Sequence, residues 1–234
     1  MIADKLQQVR ARIAHACAAA GRPVQSVTLL VVSKTYGSEA VREAFTAGEQ
    51  RFGENYVQEG LDKIAALAGL RSRIEWHLIG PLQSNKTRAV AEQYDWVHSV
   101  DRLKIAQRLS DQRPARLPPL QLCLQVNISD EASKSGLRPD EVLATAQAVA
   151  ALPRLVLRGL MAIPEPAADF VSQRAPHRAL HALWQSLNQQ GLQLDTLSMG
   201  MSADLEAAIA EGATMVRIGS AIFGVRPPVR SAAA

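Results

Sequence analysis

One lysine of this chain ends an unbroken apolar run. Lys34 directly follows residues 28–33, TLLVVS, a composition that predicts a buried strand. An ammonium group at such a position is costly to bury unless it has a partner or loses its proton. A neutral amine can attack an aldehyde or a ketone and form an imine. Lys34 is therefore the first candidate for chemistry, and the question is which carbonyl compound it binds.

Other reactive residue types give weaker signals. The five remaining lysines have polar neighbours and are interpreted as solvated: Lys5, Lys63, Lys86, Lys104 and Lys134. Cys17 and Cys123 form no CxxC pair, which favours core positions in a reducing compartment over a disulfide or a zinc site. His177 and His181 are four residues apart, as on one helix face, but no third metal ligand is near them in sequence. We predict no metal site and interpret this histidine pair as a solvated face.

Composition narrows the class of protein. The 234 residues are 47% hydrophobic and 21% charged, which is typical of a globular protein. The net charge is +4, but the basic residues are dispersed, so specific nucleic-acid binding is not expected. No apolar stretch reaches the roughly 20 residues that span a bilayer, and the N-terminal segment lacks the basic and apolar order of a signal peptide. These features predict a soluble, cytoplasmic protein without membrane association.

Short apolar runs alternate with amphipathic helical patterns eight times along the chain. An additional N-terminal helix, with apolar residues at helical spacing from Ile2 to Ala16, precedes the first strand. Eight strand–helix units predict parallel pairing and, at this length, a closed (β/α)8 TIM barrel of the α/β class. An open doubly wound sheet is the alternative, although the first strand-to-helix turn, SKTYGS, contains no GxGxxG.

The domain organisation follows from the same pattern. We predict a single domain over residues 1–224 and a flexible tail over residues 225–234. The proline-containing segment 164–176 is predicted to be a connector inside this domain, leading into a helix over residues 177–189.

Functional side chains of a (β/α)8 barrel gather at the carboxyl ends of the strands. The residues at the predicted ends are Lys34, Glu54, Asn55, His77, Ser99, Asp101, Asn127, Met161, Ser198, Gly200, Ser202, Arg217, Gly219 and Ser220. The last two ends, SMGMS at 198–202 and GS at 219–220, are small and rich in hydrogen-bond donors. Because loops after strands seven and eight are the usual phosphate site of this fold, these turns predict phosphate binding.

Arg217 alternates with Val216 and Ile218 and therefore points to the opposite face of its strand. A buried guanidinium needs an acceptor, and two remain open: a structural carboxylate such as Glu54, or an atom of a ligand. An imine-forming lysine, phosphate-binding turns and an arginine together describe a pocket for a phosphorylated aldehyde. Pyridoxal 5′-phosphate (PLP) fits, with its aldehyde on Lys34 and its ring nitrogen toward Arg217. A Schiff-base aldolase acting on a sugar phosphate is a more distant alternative.

Seven segments resemble one known family: VVSKT, FGENYVQE, IEWHLIGPLQSNK, LQVNISDEASKSGL, GLMAIP, LSMGMSADLEAAI and VRIGSAIFG. They are similar to the pyridoxal phosphate homeostasis protein family, also called YggS or PROSC proteins. The resemblance implies a fold type III barrel, like the N-terminal domain of alanine racemase, with PLP held as a Schiff base on Lys34. The other positions that it implies are Ser198, Gly200, Ser202, Gly219 and Ser220 for the phosphate, Arg217 for the ring nitrogen, and Asn55, His77 and Met161 in the pocket. After Gly224 the ending VRPPVRSAAA departs from the family pattern.

The same residues bear on catalysis. Arginine, with a pKa above about 12, is a poor proton donor to the pyridine nitrogen, so the ring is a weaker electron sink. A racemase needs a second acid–base group opposite the lysine. The alanine racemase family takes a tyrosine from an extra domain, and the sequence places none of Tyr36, Tyr56 and Tyr94 to serve. We predict a non-catalytic, monomeric carrier for vitamin B6 homeostasis that supplies PLP-dependent apo-enzymes; a PLP-dependent amino-acid racemase is the alternative.

Overall fold

Eight parallel strands form a closed barrel in the computed structural model, which describes residues 1–129 and 135–224. The strands are β1 (Thr28–Val32), β2 (Arg51–Glu54), β3 (Glu75–Leu78), β4 (Trp96–Val100), β5 (Leu120–Gln125), β6 (Leu155–Met161), β7 (Thr196–Ser198) and β8 (Met215–Ile218). Each strand pairs with the next along the chain, and β8 closes the barrel against β1 with Arg217 opposite Leu30. The predicted TIM barrel is confirmed, and the open-sheet alternative is wrong.

Helices connect the strands and cover the barrel. They are α1 (Ile2–Ala19), α2 (Ser38–Thr46), α3 (Val57–Ala66), α4 (Thr87–Gln93), α5 (Leu103–Gln112), α6 (Val142–Ala150), α7 (Phe170–Gln189), α8 (Leu205–Ala210) and α9 (Ser220–Phe223). Short 3-10 turns lie at Val24–Ser26, Ala68–Leu70, Ser84–Lys86 and Pro139–Glu141. The additional helix α1 is present as predicted. It buries Leu6, Val9 and Ile13 and packs against α2, α8 and α9, beside the junction of β1 and β8.

Side chains along a strand alternate between two apolar regions. Val31 of β1 faces outward into the main core, between the barrel and the helices. Leu30 and Val32 face inward and cluster with Ile79 inside the barrel. Because Lys34 lies two residues beyond Val32, the alternation directs it toward the inner face at the carboxyl end of the barrel.

The connector predicted over residues 164–176 is too long. Helix α7 begins at Phe170 and contains Pro176 within it. Asp169 caps the helix, because its carboxylate accepts a hydrogen bond from the Ser172 N–H at 2.9 Å. The prolines alone favour a loop, but this capped first turn fixes the start of the helix upstream of Pro176.

The solvated face predicted for the histidine pair is wrong for His177. Its side chain is 1% exposed, and its Nε2 lies 2.9 Å from the carboxylate of Asp204. Leu180 and Leu187, three and ten residues further along α7, are also buried, so His177 lies on the apolar stripe of the helix.

Two further predictions concern the membrane and the chain end. Within residues 1–129 and 135–224, no helix is both long and apolar enough to cross a bilayer. The tail predicted over residues 225–234 lies outside the described residues, as does Lys134.

Candidate functional site

A cavity of about 290 Å³ opens at the carboxyl ends of the strands, where the site is predicted. Its lining residues are Val32, Lys34, Tyr36, Asn55, Ile79, Ile163, Met201, Ser202, Ala203, Arg217, Gly219, Ser220 and Gly224. Six of the ten predicted site residues are among them, namely Lys34, Asn55, Ser202, Arg217, Gly219 and Ser220. The barrel therefore brings the amine, the small turns and the arginine to one cavity from three different strand ends, those of β1, β7 and β8.

Lys34 reaches this cavity from the end of β1 and is partly exposed. The next residue, Thr35, has a φ of 70°, in the left-handed region that β-branched residues avoid. The Thr35 N–H donates a hydrogen bond to Oε1 of Glu59 at 2.6 Å. The backbone thus turns sharply after Lys34, and a side chain of α3 holds the turn.

A second lysine lies behind this turn and is buried, so the prediction that Lys63 is solvated is wrong. Its side chain donates hydrogen bonds to Oε1 of Glu54, to Oε1 of Glu59 and to the carbonyl oxygen of Ser33, each at 2.7 Å. The helical period explains the burial, since α3 buries one face along its length. The residues of that face are Val57, Gly60, Lys63 and Ile64.

Glu54 is fully buried and faces outward from β2 toward α3. Its Oε1 also accepts a hydrogen bond from Oγ of Ser33 at 2.5 Å, whereas its Oε2 has no partner among the described residues. Burial raises the pKa of Glu54 to about 7, although the ammonium of Lys63 opposes the shift. We call Glu54, Glu59 and Lys63 the charged cluster.

The two small turns lie side by side in the cavity. Oγ of Ser220 donates a hydrogen bond to Oγ of Ser202 at 3.1 Å, which joins the loop after β7 to the start of α9. Gly219 has no space for a side chain, because an added Cβ would lie 2.9 Å from the carbonyl oxygen of Val32. Hydroxyl and N–H donors on such small residues suit a phosphate group.

The guanidinium of Arg217 is held by the barrel itself. Nη1 donates hydrogen bonds to the carbonyl oxygen of Ser198 at 2.5 Å and to its hydroxyl at 2.8 Å. Nη2 donates to the carbonyl oxygen of Ala162 at 2.8 Å. Glu54 is therefore not its acceptor, because that carboxylate lies on the other side of the barrel wall. Burial lowers the pKa of Arg217 to about 10, so the side chain stays protonated at neutral pH.

Hydrogen bonds continue from Arg217 through the barrel interior. Oγ of Ser198 is 2.8 Å from Nδ1 of His98. Nε2 of His98 is 2.9 Å from Nδ1 of His77, whose Nε2 is 2.8 Å from Oε1 of Glu75. Burial lowers the pKa of both histidines, so both imidazoles are neutral at neutral pH. One assignment then satisfies all contacts, with every donor directed toward Glu75; we call these five residues the interior chain.

Four predicted site residues lie outside the lining formed by the described residues: His77, Met161, Ser198 and Gly200. His77 and Ser198 belong to the interior chain, beneath Arg217. Met161 is fully buried inside the barrel, and Gly200 is buried in the loop after β7, where it adopts a φ of 92°. As cofactor contacts these four stay predictions, and so do the six residues that line the cavity. Strand ends can be predicted from sequence, but the layer of side chains that reaches the cavity depends on barrel register.

The cavity also includes a tyrosine that the sequence did not place there. Tyr36 lines it, two residues after Lys34, and its ring stacks on Phe223 with centroids 4.8 Å apart. Its hydroxyl donates a hydrogen bond to the carbonyl oxygen of Gly224 at 3.0 Å. The sequence placed none of the three tyrosines to serve as a second acid–base group, and the structure now puts Tyr36 in the cavity lining. Its place in the loop after the first strand was the signal that could have found it.

Comparison with known proteins identifies the class. Residues 5–227 match the family model described as alanine racemase, N-terminal domain. An alanine racemase of Clostridium difficile 630 has the same fold, with a TM-score of 0.75 and 14% identity over 97% of this chain and 58% of that one. The molecule is thus a barrel of the alanine racemase N-terminal type.

Relatives of higher identity identify the family. The pyridoxal phosphate homeostasis protein of Pseudomonas aeruginosa is 62% identical over 96% of each chain. The Escherichia coli K12 protein of that name is 56% identical over 96% of this chain and 97% of its own. PipY of Synechococcus elongatus, solved with PLP bound, has a TM-score of 0.84 and 37% identity over 96% of this chain and 100% of that one. This chain belongs to the pyridoxal phosphate homeostasis protein family, as the sequence predicts.

Proposed function

We propose that this protein binds PLP in the cavity at the strand ends and holds it through Lys34, for storage or delivery inside the cell. The observation that carries the proposal is the meeting of an amine, two neighbouring hydroxyls and a protonated guanidinium in one cavity. The three match the aldehyde, the phosphate and the pyridine nitrogen of PLP. The names of the relatives and the PLP bound to PipY support the same ligand.

The cavity fits this cofactor in size and in chemistry. Its volume of about 290 Å³ suits a single substituted ring and is near the lower end for small-molecule sites. When bound, PLP supplies an aldehyde that joins a primary amine in a reversible covalent bond. Lys34 is the residue for that bond, Ser202, Gly219 and Ser220 are the residues for the phosphate, and Arg217 is the residue for the ring nitrogen.

The same residues favour a carrier over an enzyme. With a pKa of about 10, Arg217 donates a hydrogen bond to a pyridine nitrogen rather than a proton, so the ring withdraws electrons weakly. The hydroxyl proton of Tyr36 is directed to the carbonyl oxygen of Gly224. We infer that the protein holds PLP without turnover, as a cytoplasmic monomer, and that PLP-dependent apo-enzymes receive the cofactor.

The first test is the visible absorption band of the covalent adduct. Wild-type protein incubated with PLP is expected to show this band, and Lys34→Ala is expected to lose it entirely. Lys104→Ala, which removes an exposed lysine of α5, is the matched control and should keep the band. Borohydride reduction followed by peptide mass spectrometry should place the label on Lys34. A colourless wild-type protein after reconstitution would refute the proposal.

The presence of Tyr36 in the cavity is the observation that favours a racemase as the second candidate. A racemase exchanges the Cα proton of an amino acid, so loaded wild-type protein in heavy water would incorporate deuterium and Lys34→Ala would not. The carrier proposal expects no exchange. We also expect the loaded protein to transfer PLP to an apo-enzyme. The rate at which the apo-enzyme gains activity is measured beside the rate with free PLP at the same concentration.

A further inference from the structure

The charged cluster lies directly behind the residue proposed to hold the cofactor. We propose that Glu54, Glu59 and Lys63 position Lys34 for covalent binding by fixing the backbone on both sides of it. This inference rests on the proposed function of Lys34. None of the three residues belongs to the described cavity lining, so they are positioning residues that act through the chain.

One ion pair joins the residues that flank Lys34. On the preceding side, Nζ of Lys63 donates a hydrogen bond to the carbonyl oxygen of Ser33 at 2.7 Å. On the following side, Oε1 of Glu59 accepts the N–H of Thr35 at 2.6 Å. The same Oε1 lies 2.7 Å from Nζ of Lys63. Movement of either flank of Lys34 therefore requires breaking a contact with one ammonium–carboxylate pair.

The turn itself needs such support. The N–H of Tyr36 donates a hydrogen bond to the carbonyl oxygen of Ser33 at 3.1 Å, so Lys34 and Thr35 are the central residues of a β-turn. A positive φ at the third position of a turn is normally supplied by glycine or asparagine. Threonine has a φ of 70° here, and its buried Oγ1 has no hydrogen-bond partner among the described residues. Such backbone strain persists only where the surroundings fix it, and the bond to Glu59 supplies that constraint.

Burial makes the constraint stiff. Lys63 is 4% exposed and Glu54 is fully buried, and their side chains are 2.7 Å apart. Replacing a buried ion pair by apolar residues is often neutral for stability, so stability alone does not account for three buried or half-buried charges at this place. Fixing a reactive lysine does account for them, because small misplacements of reacting groups slow covalent chemistry strongly.

The test compares rates of covalent PLP binding in variants of α3, followed by absorbance in stopped flow. Glu59→Ala removes the acceptor of Thr35 and is expected to slow binding about tenfold. Glu59→Gln keeps an acceptor oxygen and is expected to stay within about twofold of wild type. Asp62→Asn is the matched control, because Asp62 is exposed on the same helix and contacts Gln58. Equal rates for Glu59→Ala and wild type would overturn the inference.

A second measurement on PLP-free protein separates this inference from the proposed function. Amide hydrogen exchange at Thr35, measured by NMR, is expected to accelerate at least about tenfold in Glu59→Ala and to stay unchanged in Asp62→Asn. Thermal unfolding of each variant controls for global loss of structure. Failure of wild-type protein to bind PLP would refute the proposed function of Lys34. Unchanged exchange at Thr35 in Glu59→Ala would instead refute the inference that the charged cluster fixes the backbone of this turn.

Discussion

Two polar networks adjoin the cavity, one at Arg217 and the other behind Lys34. They differ in where their charged groups lie. The interior chain runs inside the barrel and is neutral along its middle, with a charge only at each end, on Arg217 and Glu75. The charged cluster lies outside the barrel wall, between β2 and α3, and concentrates two carboxylates around the ammonium of Lys63. The first orients the guanidinium; the second holds the backbone around Lys34.

The charged cluster depends on its ion pairs for stability, and the interior chain does not. Two buried imidazoles need no counterion while they are neutral, so the loss of one link in the interior chain leaves no isolated charge. Removing Lys63 from the charged cluster leaves the carboxylate of Glu54 fully buried without its cation. We therefore expect the cluster to dominate stability and its pH dependence, and the interior chain to contribute smaller effects on ligand affinity.

The largest effect should come from Lys63→Met. Breaking a buried pair by removing one partner typically costs about 3–5 kcal/mol, and we expect a loss of that size in the free energy of unfolding at pH 8. Urea denaturation measures it. Lys104→Met, at an exposed position of α5, should change the same quantity by less than about 0.5 kcal/mol. Similar losses in the two variants would contradict the expectation that the charged cluster dominates stability.

A smaller effect should appear in the pH dependence of Glu54→Gln. The pKa of Glu54 is about 7 in the folded protein against an ordinary value of 4.5, so the folded state binds a proton that the unfolded state releases. Stability from this group is present below pH 4.5 and lost as the pH rises through 7, by up to about 3 kcal/mol. The Gln variant should therefore gain stability relative to wild type between pH 4.5 and 8.

The interior chain contributes a pH dependence of stability with the opposite sign. His77 and His98 have a pKa below the ordinary 6.5, so their contribution is present above pH 6.5 and is lost as the pH falls through their folded values. This loss is common to wild type and Glu54→Gln and cancels in their difference. Asp62→Asn, which removes an exposed carboxylate of α3, is the control for the change in net charge. A flat difference for Glu54→Gln would mean that Lys63 keeps Glu54 ionised throughout.

Sequence patterns predicted the frame of the site better than its supports. Period-two alternation and the order of elements were enough for the eight strands and for the cavity end of Lys34 and Arg217, because these depend on local periodicity. The burial of Lys63 depends on which face of α3 meets the barrel, and the place of His77 depends on which layer its register reaches. Both are set by packing between elements distant in sequence, so neighbouring residues alone did not reveal them.

The smallest effect should come from Ser198→Ala. This variant tests whether Ser198 contacts the ligand directly or only holds Arg217 in place. Ser198 was predicted to bind phosphate, but its hydroxyl lies between Arg217 and His98 in the interior chain. Its removal leaves Arg217 two carbonyl acceptors and deprives His98 of a donor. Of the two hydrogen bonds lost, the one to Arg217 bears on the ligand, and at about 1 kcal/mol its loss should lower the affinity for PLP about fivefold.

Pyridoxal, which lacks the phosphate, decides how Ser198 acts. If Ser198 works through Arg217, Ser198→Ala should weaken pyridoxal and PLP by the same factor, since the ring nitrogen is common to both. Ser202→Ala is the matched control, because that hydroxyl lines the cavity beside Ser220 and should affect PLP much more than pyridoxal. A Ser198→Ala variant that weakened PLP alone would restore Ser198 to the phosphate site. The interior chain would then contact the phosphate through Ser198 as well as the ring through Arg217, and it could no longer be described as a network that only positions Arg217.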